Sequence, residues 1–126
     1  MIKAEETISN YQFSDDIDWQ RLGLVSMGDP EYQVDLLKMF VERAKTYVAE
    51  IARAIAENNC EDVVNFSHKL KGISAHLGLR KISEVTTQLE SRGTEDRLED
   101  AELLLERLGE ILGEVKALLA FLHTQS

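Results

Sequence analysis

Cysteine is nearly absent from this chain: Cys60 stands alone, so no internal disulfide can form and the thiol is read as structural. Proline occurs once, at Pro30, aromatic residues make up 6% of the chain, and no stretch alternates apolar with polar residues, which together disfavour a β architecture. There is no run of 18 uncharged apolar residues to cross a membrane, and no apolar signal-peptide core follows Met1, so a reducing, cytoplasmic compartment is expected. Basic residues are outnumbered: 14 Lys and Arg face 23 Asp and Glu, for a net charge of −9. That balance repels nucleic acid and anionic lipid, so neither is expected as a partner. Neither a P-loop nor a G-x-G-x-x-G loop is present to cradle ATP phosphates. The residues three before His68, His76 and His123 are Asn65, Ile73 and Ala120. The chain therefore lacks the Glu-x-x-His pairs of a di-metal bundle, and neither a metal nor a cofactor of its own is expected.

What remains is helical, with 126 residues suiting one domain. Residues 1–14 are polar and weakly patterned, a flexible arm; residues 15–126 form the domain. A short lid helix is predicted from Asp18 to Met27, capped by Asp15, Asp16 or Asp18 and stopped by Gly28. Asp29-Pro30 then starts a long helix, with an Asp cap and Pro where no N–H is needed. Its stripe is Leu37, Phe40, Ala44, Tyr47, Ile51 and Ile55, and Asn58-Asn59 ends it. The third helix carries Val63, Phe66, Leu70, Ile73 and Leu77 at intervals of three and four, and Gly78 caps it. A fourth places Leu79, Ile82, Val85 and Leu89 inward and closes at Gly93. Thr94 then caps a last helix with Leu98, Ala101, Leu105, Leu108, Leu112, Val115, Leu119 and Leu122 inward, ending near His123, whose cation suits the helix C-terminus. The expected fold is all-α: an antiparallel, up-down-up-down four-helix bundle with the short N-terminal lid helix across one end.

The acidic residues avoid one place. From Val63 to Ser83 there is no Asp or Glu, while Lys69, Lys71, Arg80 and Lys81 lie within it. At about 100° per residue His68 points away from the third helix's apolar stripe, among Val64, Asn65, Lys71, Gly72 and Ala75. Gly72 costs a helix interior about 0.5–1 kcal/mol relative to alanine. On the outward side no bundle neighbour accounts for it, so a bare patch through which another backbone approaches is the functional reading. Lys71, one turn on, reaches an anionic group attached to the imidazole, and a phosphoryl of charge near −2 is the group that Lys71, Lys69 and an acid-free surround would neutralise.

The run His68-Lys69-Leu70-Lys71-Gly72-Ile73-Ser74-Ala75-His76-Leu77-Gly78 resembles the signature of histidine-containing phosphotransfer (HPt) domains. Ile17-Asp18, Gly28-Asp29, Leu36 to Phe40, Leu89-Glu90 and Arg92-Gly93 are similar to the family's flanking features, so the resemblance spans residues 17–120. It implies that His68 accepts a phosphoryl group on Nε2 from a receiver-domain aspartyl phosphate and passes it to another receiver. In that role Lys71 helps hold the group and Gly72 gives the receiver room. The implied partners are receiver domains of response regulators and of a hybrid histidine kinase, which bring their own Mg²⁺; the chain itself acts as a monomeric carrier without ATP-dependent kinase activity. Ile17 and Leu22 of the lid join Val64, Asn65, Gly72 and Ala75 as partner-binding candidates, with Val25 beside them; for the three lid residues the alternative, favoured on apolar character, is that they seal the end of the bundle. Some family members orient the imidazole with an amide from the next helix, where this chain offers Glu90 and, two residues earlier, Gln88. Ser74 and Gly78 are read as structural, His76 and His123 as surface residues. The rival reading is a helical interaction or scaffold module whose histidine is inert.

Overall fold

The computed structural model describes residues 17–124, so the arm expected over residues 1–14 and the cap candidates Asp15 and Asp16 lie outside the described residues, as does the side chain of His123. Among the described residues five helices follow one another: α1 (Trp19–Val25), α2 (Pro30–Ala56), α3 (Cys60–His76), α4 (Arg80–Thr94) and α5 (Ala101–Thr124). Each of the first three starts on a side-chain cap that satisfies backbone N–H groups left free by the first turn. Asp18 accepts from Arg21, Asp29 from Glu31 and Tyr32 with Pro30 following it, and Asn59 from Asp62.

Helix α2 packs on α3 and α5, and α4 packs on α3 and α5, which closes a four-membered ring. The connections between α2, α3 and α4 are too short to cross the bundle, so successive helices run antiparallel. The expected bundle with its lid is thus the observed fold. Lengths explain the lid: α2 with 27 residues spans about 40 Å and α5 with 24 about 36 Å, whereas α3 and α4, with 17 and 15, stop at about 26 and 22 Å. α1 covers the turn between the two shorter helices.

Gly78 makes that cover possible. Its φ of +76° ends α3, and a Cβ there would lie 2.8 Å from the backbone oxygen of Asp18. The Asp18 N–H donates to the Gly78 carbonyl at 2.8 Å, Ile17 pairs with Leu79, and the Arg21 guanidinium donates to the His76 carbonyl at 2.9 Å and to its Nδ1 at 3.1 Å. His76, expected to be a plain surface residue, therefore helps fasten the lid.

The apolar stripes are close to those predicted, with two shifts. On α3 the fully buried positions are Val63, Ser67, Leu70 and Ser74, while Phe66 and Ile73 are half-buried on the flank facing α2. Small side chains face α4 because the two helices come close together. A Cβ on Gly93 would sit 2.7 Å from Cγ2 of Val64 and 2.9 Å from the Cys60 carbonyl. Gly93 is thus a contact residue inside α4 and not its terminator, and Thr94 does not cap α5: it is the last residue of α4, its hydroxyl donating to the Glu90 carbonyl at 2.9 Å. The connection that follows is tied by Arg92 Nε to Asp100 at 2.8 Å, and holds Leu98 half-buried ahead of α5. On α5 the inward face also includes Ile111 and Leu118.

Candidate functional site

His68 projects from the middle of α3 with 68% of its side chain exposed. The burial of Val63 and Leu70 on the opposite face forces this, since an α-helix turns about 100° per residue. Its Nδ1 lies 3.1 Å from Oε2 of Glu90, which α4 carries across the close α3–α4 contact. An ionised carboxylate only accepts, so Nδ1 bears the proton, and the neutral form of the ring has its lone pair on Nε2.

Lys71 reaches the same oxygen: its Nζ is 3.2 Å from Oε2 of Glu90. Burial pushes the Glu90 carboxyl up, but hydrogen bonds from Lys71 and His68 outweigh it and hold the group below its ordinary range. Glu90 is the group the sequence left open between itself and Gln88; Gln88 is exposed. The island between Val63 and Ser83 is acid-free along the chain but not in space, because helix packing inserts Glu90 beside it. Only the α3–α4 register reveals this, since His68 and Glu90 are 22 residues apart.

Gly72 is exposed, and a Cβ placed on it would have nothing within 4 Å. Asn65 and Ala75 are exposed on the same outward side as His68, leaving the imidazole bordered by small or short side chains. Lys69 lies apart from Lys71: its Nζ sits 5.3 Å from the centre of the Phe66 ring, which in turn meets Tyr47 of α2. Val64 is half-buried and leans on Gly93.

The lid candidates do not reach the surface. Ile17 is 4% exposed and Leu22 0%, because both plug the end of the bundle, and Val25 is half-buried against the core. Their place as exposed apolar residues is taken by Leu24 and Met27, 69% and 84% exposed, with Met39 of α2 at 55%. Helical phase separates Leu22 from Leu24 by about 200°, so burying the one turns the other to solvent. Cys60 donates its thiol to Asp96 at 2.9 Å; that bond, then burial, raises its pKa, in keeping with a structural thiol. Among the described residues no helix is long and apolar enough to cross a membrane.

A family model described as Hpt domain matches residues 35–121. The phosphorelay intermediate protein YPD1 of Saccharomyces cerevisiae is 33% identical over 84 residues, 64% of this chain and 50% of that protein. Its Candida albicans namesake is 30% identical over 93 residues, 71% and 50% respectively. The chain thus spans about half the length of these curated relatives. Among solved structures, histidine-containing phosphotransfer protein B of Pseudomonas aeruginosa superposes with a TM-score of 0.80 at 18% identity, over 88% of this chain and 96% of that one. The HPT domain of a Shewanella sensor hybrid histidine kinase does so at 0.70 and 20%, with the same coverages. With the family model spanning most of the bundle from α2 to α5, and the His68 motif inside it, the chain belongs to the Hpt domain family.

Proposed function

We propose that this chain carries a phosphoryl group on His68 between receiver domains of a phosphorelay. The observation that carries the reading is the ring itself: an exposed imidazole whose Nδ1 is engaged by Glu90, with its lone pair on Nε2 and the Lys71 ammonium one helical turn away. The Nε2 lone pair attacks the phosphorus of a receiver's aspartyl phosphate, the P–O bond breaks, and the aspartate leaves as carboxylate. Transfer onward reverses the step, the N–P bond breaking as a second receiver's aspartate attacks.

In-line phosphoryl transfer needs positioning and charge neutralisation more than covalent chemistry from the protein. Lys71 supplies part of the neutralisation and Gly72 the room for the partner's backbone. The receiver brings Mg²⁺. Lys69 adds a second positive charge from the far flank of α3, at longer range. The partners are a hybrid kinase's receiver and a response regulator, met by a monomer in the cytoplasm. They dock over Asn65, Gly72 and Ala75, with Leu24 and Met27 extending the face. No ATP-dependent kinase step belongs to this chain.

The test is incubation with a phosphorylated receiver and recovery of acid-labile, alkali-stable label on the chain. Label is expected on the wild type and absent from His68→Gln. Label that persists in the variant overturns the assignment, and a wild type that takes no label from any receiver leaves the scaffold reading.

A further inference from the structure

Helix α3 ends on four carbonyls that a further turn of helix would have used. The turn that follows takes three of them: the N–H groups of Leu77, Leu79 and Gly78 donate to the carbonyls of Ile73, Ser74 and Ala75 at 3.3, 2.8 and 3.1 Å. The fourth, on His76, accepts from outside the helix, from Nε of Arg21 in the lid at 2.9 Å. A terminal nitrogen of the same guanidinium lies 3.1 Å from Nδ1 of the His76 ring. A guanidinium only donates, so Nδ1 of His76 holds a lone pair and the ring proton is on Nε2, the opposite arrangement to His68. Two donors of one rigid plane on one residue fix a direction as well as a distance.

That direction matters because of what each end carries. His76 follows His68 by eight residues on α3, about 12 Å along the axis. Arg21 precedes Leu24 by three residues on α1, and the exposed side chains of Leu24 and Met27 extend the docking face. Seven residues are too few to hold a helix in water alone, so α1 takes its place only from what fastens it. The burial of Ile17 and Leu22 attracts without direction, and the fork from Arg21 supplies the direction.

We propose that Arg21 and His76 are positioning residues for phosphoryl transfer: their paired contact latches the lid's apolar face in the register on α3 that a receiver needs to dock over His68. The inference rests on the carrier reading and deepens it. A receiver that meets a latched lid finds both parts of its surface in place. One that meets a loose lid must order it on docking, and its apparent affinity falls with the fraction of chains whose lid is in place. Once docked, the receiver itself holds the lid, so transfer within the complex keeps its rate. A small donor that needs no docking face is indifferent to the latch. The competing account is that the contact only stabilises the end of the bundle, in which case it affects melting and leaves docking alone.

The experiment compares the full chain with Arg21→Ala, His76→Phe and His76→Asn, each checked for an unchanged helical spectrum. Phenylalanine keeps a ring without an acceptor, and asparagine keeps an acceptor without the ring, its Oδ1 standing where Nδ1 stood; the helix propensities of the three residues are similar. Loading of His68 by phosphoramidate, a small-molecule donor, should be equal in all of them. Slower loading in any variant would tie the pair to His68 itself and not to docking, against the proposal. With a phosphorylated receiver, the concentration that half-saturates labelling should rise about two- to tenfold in Arg21→Ala and His76→Phe, the ratio for one net hydrogen bond, while the rate at saturation stays the same. His76→Asn should restore the wild-type value. An unmoved half-saturation in Arg21→Ala, or His76→Asn behaving as His76→Phe does, overturns the proposal. Amide exchange over residues 19–25, expected to be faster in Arg21→Ala and His76→Phe, reads the latch without a partner. If exchange separates the variants while no receiver labels the wild type, the latch stands as an ordering contact and the relay reading falls; equal exchange overturns the latch whatever the receivers do.

Discussion

Replacing Gly72 with alanine separates the cost of a residue to the fold from its value to a partner. Gly72 lies inside α3 with no backbone requirement for glycine, and the added methyl would meet nothing within 4 Å. The only intramolecular effect left is helix propensity, which favours alanine by about 0.5–1 kcal/mol. For a chain between the sizes usually tabulated, about 3–5 °C per kcal/mol converts this to a rise in Tm of about 2–4 °C. In the docked complex the same methyl would stand where a receiver's backbone approaches beside His68. Overpacking of a close contact costs about 1–3 kcal/mol, so transfer from a phosphorylated receiver should slow by roughly 5- to 150-fold. The assays are thermal unfolding followed by circular dichroism, and the initial rate of labelling by a receiver. Gly72→Ala should come out more stable and slower. A lower Tm would mean that glycine serves a contact within the bundle, and an unchanged rate would mean that no partner approaches there; either result refutes the reasoning.

Gly93→Ala should behave oppositely in stability, its Cβ colliding with Val64 and the Cys60 carbonyl. The overpacking of about 1–3 kcal/mol exceeds the helical gain, and denaturant melts should show a net loss. Gly78→Ala combines left-handed strain with the loss of the 2.8 Å bond to Asp18, about 2–3 kcal/mol in all, and proteolysis should cut first near the loosened lid. Ser67 is fully buried and its hydroxyl has no partner among the described residues, so Ser67→Ala should be neutral or stabilising by up to about 1 kcal/mol in the same melts. The Glu90 carboxyl titrates lower folded than unfolded, so its contribution to stability is fully present above the unfolded pKa. The wild type's advantage over Glu90→Gln should therefore hold level at neutral pH and disappear as the pH falls below the ordinary value of 4.5. An advantage that grew on acidification would contradict the direction of that shift. Leu24→Glu and Met27→Asp, exposed and outside the core, should leave Tm nearly unchanged and slow labelling if the lid's outer face docks the receiver.

The local sequence was enough for everything governed by neighbouring residues. Periodicity of three and four marked the helices, Asp29-Pro30 marked a start, Asn58-Asn59 a break and Gly78 an end, and Asp18 was one of three acids offered as the lid's cap, because propensity and capping act within a turn or two of chain. The outward direction of His68 and the bareness of Gly72 followed from the same arithmetic, with the motif around them naming the family. What depended on two helices meeting was not in the local pattern, and a group beside the imidazole entered only through the family resemblance, as a choice between Glu90 and Gln88. Gly93 read as a stop but is the point where α4 touches α3; the buried face of α3 runs through Ser67 and Ser74, since close approach favours small side chains over apolar ones. Leu22, on a lid of about two turns, and Ile17, just ahead of it, could face the partner or the core until the bundle's open end claimed them. Above all, Glu90 joined His68 and Lys71 only through the register of α4 on α3. Charge read along a chain ignores distance through space, and the partner of a side chain is decided by the few ångströms that packing leaves between helices.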